Sequence, residues 1–264
     1  MLRLENIHVT FNPNTASEIK ALQGLSTTIN NGEFVTVIGA NGSGKSTLFN
    51  VVAGTVQPQR GNIWLGGQNM RHWPEHRRSS QIGRVFQNPA LGTCPGLTVL
   101  ENLALADKRG QSRGLRPAVK RPDRDRFTSL LEGIGMGLED RLDTDVGLLS
   151  GGQRQAITLL MATLNHPALL LLDEHTAALD PNAAGATIDL TVKLAREQKL
   201  TVIMITHSMA QATMIGDRVI MMNRGSILFE VGDAEKQNLT VSDLVERFRA
   251  LKAEETLADR TLLE

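Results

Sequence analysis

Nine residues, GANGSGKST at 39–47, carry the first recognisable chemistry in this chain. They fit the pattern G-x-x-x-x-G-K-[ST] between a short apolar run and a helical one, the setting in which that pattern binds phosphate. Gly39, Gly42 and Gly44 allow the backbone to curl until its N–H groups face inward around phosphate oxygens, with Asn41 and Ser43 in the same cradle. The helix start that follows adds positive potential. Lys45 can reach the β- and γ-phosphates of a nucleotide, the Ser46 hydroxyl can ligate Mg²⁺, and Thr47 can bond a neighbouring phosphate.

A second stretch, LLLLDE at 169–174, supplies acids. Four leucines bury a strand, so Asp173 and Glu174 emerge at its carboxyl end, where α/β sheets bind ligands. Asp173 suits Mg²⁺ through water, and Glu174 can polarise an attacking water. The third stretch is LSGGQ at 149–153. Ser150 can cap a helix, and Gln153 completes a capping box. Gly151 and Gly152 weaken a helix start unless something must approach the backbone closely, and a phosphate is a natural visitor there. One chain already has a phosphate loop, so this second anion site is expected to serve another subunit's nucleotide.

Positioning these residues requires an α/β core. Leu2, Leu4, Ile7, Val9 and Phe11 suggest strand up to Asn12-Pro13-Asn14. Ala21–Asn30, Glu33–Ile38, Gly61–Leu65 and Ile82–Phe86 read as further strands. A helix is expected over Ser46–Ala53, stopping at Gly54. Residues 88–166 carry mostly helical spacing, over Val99–Ala106, Arg124–Ile134 and Gly152–Leu164. Strand character returns at Leu169–Leu172 and Thr201–Ile205, with helical Ala183–Gln198 between them. Val219–Met222 and Ser226–Val231 flank the turn Asn223-Arg224-Gly225 as a hairpin. Buried strands alternating with helices make a parallel core, and the helical stretch reads as an insertion into it. From Asp233 the tail has apolar residues at 241, 244, 245, 248 and 251, which predicts one amphipathic helix packed back on the core.

The chain has 264 residues, 41% of them apolar, and 28 basic residues balance 28 acidic ones. The neutral balance argues against nucleic acid as a partner, since phosphate backbones usually meet a basic face. The single cysteine, Cys94, forbids an internal disulfide and fits a reducing compartment. The N-terminus MLRLENIHVT has no secretory signal character, and no apolar run approaches the roughly 18 residues of a membrane span. The basic stretch from Lys108 to Arg126, including Arg113, Arg116 and Lys120, could meet anionic lipid, or be an ordinary solvated face. Trp64 and Trp73 read as anchors of the N-terminal strands.

The phosphate loop, the acid pair and LSGGQ, together, resemble the ATPase subunit of ATP-binding-cassette (ABC) transporters over residues 2–232. The resemblance implies a P-loop NTPase ABC-type cassette: a RecA-like core with an antiparallel β-subdomain over 1–87 and 167–232, an inserted α-helical subdomain over 88–166, and a short tail over 233–264. It implies a glutamine before the helical subdomain, matched by Gln87 in VFQNP, that contacts Mg²⁺ and water and senses a membrane partner. It implies a histidine after a late strand, matched by His207 in VIMITHS, that contacts the γ-phosphate. It implies an Asp-containing loop, matched by Asp180 in AALD although Ala177 stands where serine is common, and an aromatic for adenine, matched by Phe11 where tyrosine is commoner. His175, where many relatives have proline, is expected to shape the turn after Glu174 or to hydrogen-bond near it.

The implied activity is hydrolysis of ATP with Mg²⁺, in a head-to-tail homodimer on the cytoplasmic side of the inner membrane. Its partners would be integral membrane permease subunits and an extracytoplasmic solute-binding protein. The expected cargo is an amino-acid-like or other small organic solute. The alternatives are the ATPase of a lipoprotein or peptide extruder, or a non-transport ABC ATPase such as a cofactor-assembly scaffold.

Overall fold

Strands that are apolar at every position must be covered on both faces, and the central strands of this chain are built that way. The computed structural model describes residues 1–111, 119 and 121–250. The chain opens with strands β1 (Leu2–Phe11), β2 (Ile19–Ile29) and β3 (Phe34–Gly39), then helix α1 (Lys45–Ala53). Strands β4 (Arg60–Leu65) and β5 (Gln68–Asn69), the short helix α2 (Glu75–Arg78) and strand β6 (Ile82–Val85) follow. Helices α3 (Val99–Asp107), α4 (Arg121–Glu132) and α5 (Gly151–Thr163) come next. The last part alternates: β7 (Leu169–Asp173), α6 (Pro181–Glu197), β8 (Val202–Ile205), α7 (Met209–Met214), β9 (Arg218–Asn223), β10 (Ser226–Gly232) and α8 (Asp233–Gln237).

Two sheets result. One is antiparallel, in the order β2-β1-β4-β5. The other runs β10-β9-β3-β8-β7-β6, parallel from β9 to β6, with β10 closing the edge as the antiparallel half of a hairpin. Successive residues of a strand point to opposite faces, and β7 shows the consequence. Leu169 and Leu171 join the core shared with the antiparallel sheet and α1, whereas Leu170 and Leu172 join the core under α3, α5 and α6. β8 divides in the same way, with Ile203 and Ile205 on one side and Val202 and Met204 on the other. Between Gln87 and Pro167 the described residues hold helices and an isolated bridge, Thr98 to Asp145.

The tail departs from the expected single helix. α8 ends at Gln237, and a second helical segment covers residues 241–250. Thr240 makes the break: its hydroxyl accepts from Asp243 N at 3.2 Å while Asp243 Oδ2 accepts from Thr240 N at 2.8 Å, a reciprocal cap that starts a new helix. Leu239 and Leu244 bury against Ile38, Val219 and Met221, so the tail does pack back on the core. Residues 251–264 lie outside the described residues, as do Arg113, Arg116 and Lys120 of the basic stretch. Of its described members, Arg124 pairs with Asp143, and Lys108 and Arg126 pair with Asp107.

Among the described residues the largest fully buried side chain is Arg78, which the sequence did not single out. Its guanidinium donates to five carbonyl oxygens, of Val51, Val52, Met70, Arg71 and Trp73, at 2.6–3.1 Å. Val51 and Val52 lie in the last turn of α1, whose carbonyls have no partner within the helix and whose dipole favours a cation. Arg78 therefore ties the end of the helix that follows the phosphate loop to the chain after β5. Gly54, φ 92°, makes room for it: a Cβ there would lie 2.9 Å from the Arg78 side chain. Arg78→Met leaves those carbonyls buried without donors and is expected to cost about 3 kcal/mol or more of stability. Urea unfolding at pH 7 measures this, and a loss below about 1 kcal/mol would show that Arg78 is not a structural tie.

Candidate active site

Parallel pairing gathers the motifs. β3 pairs with β8 in the register Val37 to Ile205, and β8 pairs with β7 in the register Ile205 to Asp173. Strands in such a ladder point the same way, so their carboxyl ends line up. Gly39 begins the phosphate loop at one end, His207 follows at the next, and Asp173 and Glu174 lie at the third. β6 extends the row, with Val85 opposite Leu172, and leads to Gln87.

The loop has the expected backbone. Gly39, Gly42 and Gly44 take φ of 153°, 77° and 102°. A Cβ on Gly39 would sit 2.3 Å from the Met222 carbonyl oxygen, and one on Gly44 would sit 2.6 Å from that of Ala21, so both positions demand glycine. Lys45 is buried, and its ammonium donates to the carbonyls of Gly39 at 2.8 Å and Ala40 at 3.0 Å. Burial pushes its pKa below the ordinary value, while Glu174 and then Asp173 oppose that shift. Ser43 Oγ is buried with no hydrogen-bond partner among the described residues. A pocket of about 440 Å³ opens over the loop, lined by residues Asn41 to Thr47 with Glu174 and His207, and by Phe11, Ile19 and Ala21 on its apolar side. Phe11 is 39% exposed there, an available face for a planar base.

His207 Nε2 donates to Glu174 Oε1 at 2.6 Å. Glu174 has φ 46°, the left-handed region that a residue with a side chain rarely adopts, and its N–H donates to the Ile205 carbonyl at 3.1 Å. Asp173 has another neighbour. Arg84 Nη2 lies 3.4 Å from Asp173 Oδ2 and 3.0 Å from Asn50 Oδ1, with the guanidinium 4.7 Å from the Phe86 ring centre. Asp173, Gln87, Arg84 and Asn50 line a second groove beside the pocket. Arg84 and Asn50 were missed from the sequence, because a lone arginine in a strand and a lone asparagine in a helix match no motif.

The remaining candidates lie apart. Ser150, Gly151, Gly152, Gln153 and Asp180 do not line the pocket over Lys45. Ser150 and Gln153 form the capping box, with Gln153 N donating to Ser150 Oγ at 3.2 Å and Ser150 N to Gln153 Oε1 at 3.3 Å. Gly152 has a neighbour within its own chain: a Cβ there would lie 3.0 Å from Ala183 Cβ, a tight contact where α5 packs on α6. Gly151 is exposed. Asp180 caps α6, accepting from Asn182 N and Ala183 N at 3.1 Å.

Comparisons with known proteins give the family. The family model described as ABC transporter matches residues 22–177. The chain belongs to the ABC transporter family, as an ATP-binding and ATP-hydrolysing subunit. It is 44% identical over 249 residues to a tyrosine transport ATP-binding protein of Clostridioides difficile (strain R20291), covering 94% of this chain and 98% of that one. It is 38% identical over 208 residues to the spermidine/putrescine import ATP-binding protein PotA of Spiroplasma citri, covering 78% of this chain and 55% of that one. Among solved structures it resembles a dimeric ATP-binding cassette in a post-hydrolysis state bound to ADP and Pi, at TM-score 0.75 and 30% identity, covering 88% of this chain and 98% of that one. A nucleotide-free ABC transporter cassette matches at TM-score 0.77 and 27% identity, over 94% and 98% of the two chains.

In this ABC subunit His175 is 2% exposed, and its Nε2 lies 3.0 Å from Thr191 Oγ1 on α6. Burial pushes its pKa down to about 4, so the ring is neutral. The ordinary value near 6.5 holds in the unfolded chain. The neutral ring therefore contributes fully above about pH 6.5, and that contribution is lost as pH falls toward 4. The loss is on the order of 3 kcal/mol. His175→Gln, which does not titrate, is expected to flatten the acid decline of stability in this window, read by urea unfolding at pH 7 and pH 5. An unchanged decline would show that His175 does not set it. For turnover, His207→Ala is expected to lose on the order of a hundredfold and His175→Ala only about tenfold; equal losses would reverse their ranking.

Proposed function

We propose that this subunit powers uptake of a small organic solute of the amino-acid class, working as a pair beneath separate permease subunits on the cytoplasmic face of the membrane. The observation that carries the reading is the near end-to-end match to a tyrosine transport ATP-binding protein. Among the described residues no helix is long and apolar enough to cross a membrane; the reading assigns translocation to partner chains. An extracytoplasmic solute-binding protein would deliver the cargo. The groove beside Gln87, with Leu91 70% exposed at its edge, is a suitable seat for a permease segment.

In the proposed cycle Phe11 stacks on adenine and Lys45 exchanges the Gly39 and Ala40 carbonyls for phosphate oxygens. Gly44 to Thr47 offer their N–H groups to those oxygens. Glu174 accepts a proton from water as the water oxygen attacks the γ-phosphorus, and the bond to the ADP oxygen breaks. His207 holds the Glu174 carboxylate and contacts the γ-phosphate. Mg²⁺ fits the residues present: Ser46, Asp173 and Gln87 offer hydroxyl, carboxylate and amide oxygens, the hard donors it prefers. When bound it would neutralise charge on the β- and γ-phosphates. Ser150 to Gln153 and the Asp180 loop lie away from the chain's own pocket, which supports their serving a partner's nucleotide in a head-to-tail dimer.

Glu174→Gln is expected to keep ATP affinity while turnover falls by on the order of a hundredfold or more and ATP-bound dimers accumulate, as read by steady-state hydrolysis and gel filtration with ATP. Normal turnover in that variant would remove Glu174 from the role of base. Affinity purification from native membranes should recover an integral membrane permease and a solute-binding protein. Recovery of soluble partners alone would overturn the transport reading.

A further inference from the structure

Next to Glu174 lies a buried titratable side chain that the proposed hydrolysis leaves without a task. His175 is 2% exposed and bonds to α6 rather than to the pocket. The direction of that bond follows from its neighbours. Thr191 Oγ1 carries one proton and lies 2.7 Å from the Thr187 carbonyl oxygen, which can only accept. The Thr191 hydroxyl is therefore spent as a donor, and His175 Nε2–H donates to it at 3.0 Å. This fixes the ring tautomer and pins residue 175 to the middle of α6.

The residue before it needs such a pin. Glu174 has φ 46°, and a side-chain-bearing residue persists there only when its surroundings impose it. On one side Glu174 N donates to the Ile205 carbonyl at 3.1 Å; on the other Ala177 N donates to the Glu174 carbonyl at 2.9 Å. Both bonds join Glu174 to β8 and to its own turn, and neither joins it to α6. α6 is where two other elements attach: Asp180 caps its start, and Ala183 packs against Gly152 at the start of α5.

We propose that the His175–Thr191 hydrogen bond is a positioning clamp that makes the placement of Glu174 follow α6, and through the Ala183–Gly152 contact the Ser150–Gln153 helix start. The clamp links the water-activating carboxylate of one nucleotide site to the two elements of the same chain that face the other site. His175 is thus a positioning residue for Glu174 and takes no proton in the reaction. The inference rests on the assignment of Glu174 as base.

The experiment uses the full chain with ATP hydrolysis, nucleotide binding and thermal unfolding measured on the same samples. His175→Leu removes the donor and Thr191→Val removes the acceptor with little change of shape. Each is expected to lower kcat about tenfold while leaving KM for ATP within about twofold, since a misplaced base affects the transition state and not binding. The double variant should lose no more than either single one, because both break the same bond. His175→Gln, which can present an N–H at the place of Nε2, should recover most of kcat. Multiplying losses in the double variant, a His175→Gln as poor as His175→Leu, or a kcat unmoved in a folded Thr191→Val would each overturn the clamp. Glu174→Gln is run alongside: normal turnover there would remove the base assignment itself, a result distinct from any of the clamp variants.

Discussion

The whole site depends on the parallel pairing of four strands. β3, β8, β7 and β6 lie side by side and end at one level. None of the residues Lys45, His207, Glu174 and Gln87 is near another in sequence, yet each follows the carboxyl end of a strand in this ladder. Buried backbone hydrogen bonds set the register, and a slip by one residue would turn every side chain to the other face. The alternation of Leu169 to Leu172 between two cores makes such a slip costly on both sides at once. Packing of the interior thereby fixes the spacing of the chemistry at the rim.

The rim itself is under local constraint. Glu174 combines a left-handed backbone with a short bond to His207. A flexible loop would not hold a carboxylate in that way. Here β8 holds it through Ile205, and the buried ring of His175 secures the next residue to α6. Asp173 is similarly engaged, by Arg84 reaching across from β6. Arg84 stands over Phe86 and lines the groove that contains Gln87, so Asp173 and that groove share one guanidinium.

The Ser150–Gln153 segment, proposed to meet a partner's nucleotide, lies away from the chain's own pocket. The Ser150–Gln153 helix start is well made in its own right, with a complete capping box and a glycine at the tight contact of α5 with α6. Its structural roles and its proposed phosphate contact therefore draw on the same residues. Gly152 sits at a tight contact with Ala183, and Gly151 is exposed at the surface beside Leu179. The dimeric cassette among the related structures gives this separation a physical sense.

Much of this was legible in the sequence. The phosphate loop announces itself because its glycines must occupy positive φ and its lysine must follow them, and both demands are local. The strands were legible because burial on two faces leaves an unbroken apolar run. The capping box was legible because it closes within four residues. The apolar spacing from residue 241 marks the second tail helix, and the expected helix ran too far toward Asp233 because the break that Thr240 and Asp243 impose rests on hydrogen bonding and not on apolar spacing. Arg78 and Arg84 gave no signal, since an arginine's role depends on which distant carbonyls or carboxylates it meets. His175 showed itself only as a departure from proline. The sequence by itself determined most of the elements, the phosphate chemistry and the family, because these rest on residues adjacent in the chain. The tertiary structure alone decided that His207 touches Glu174, that Arg84 holds Asp173 and that His175 binds Thr191, because strand register and helix packing set those distances.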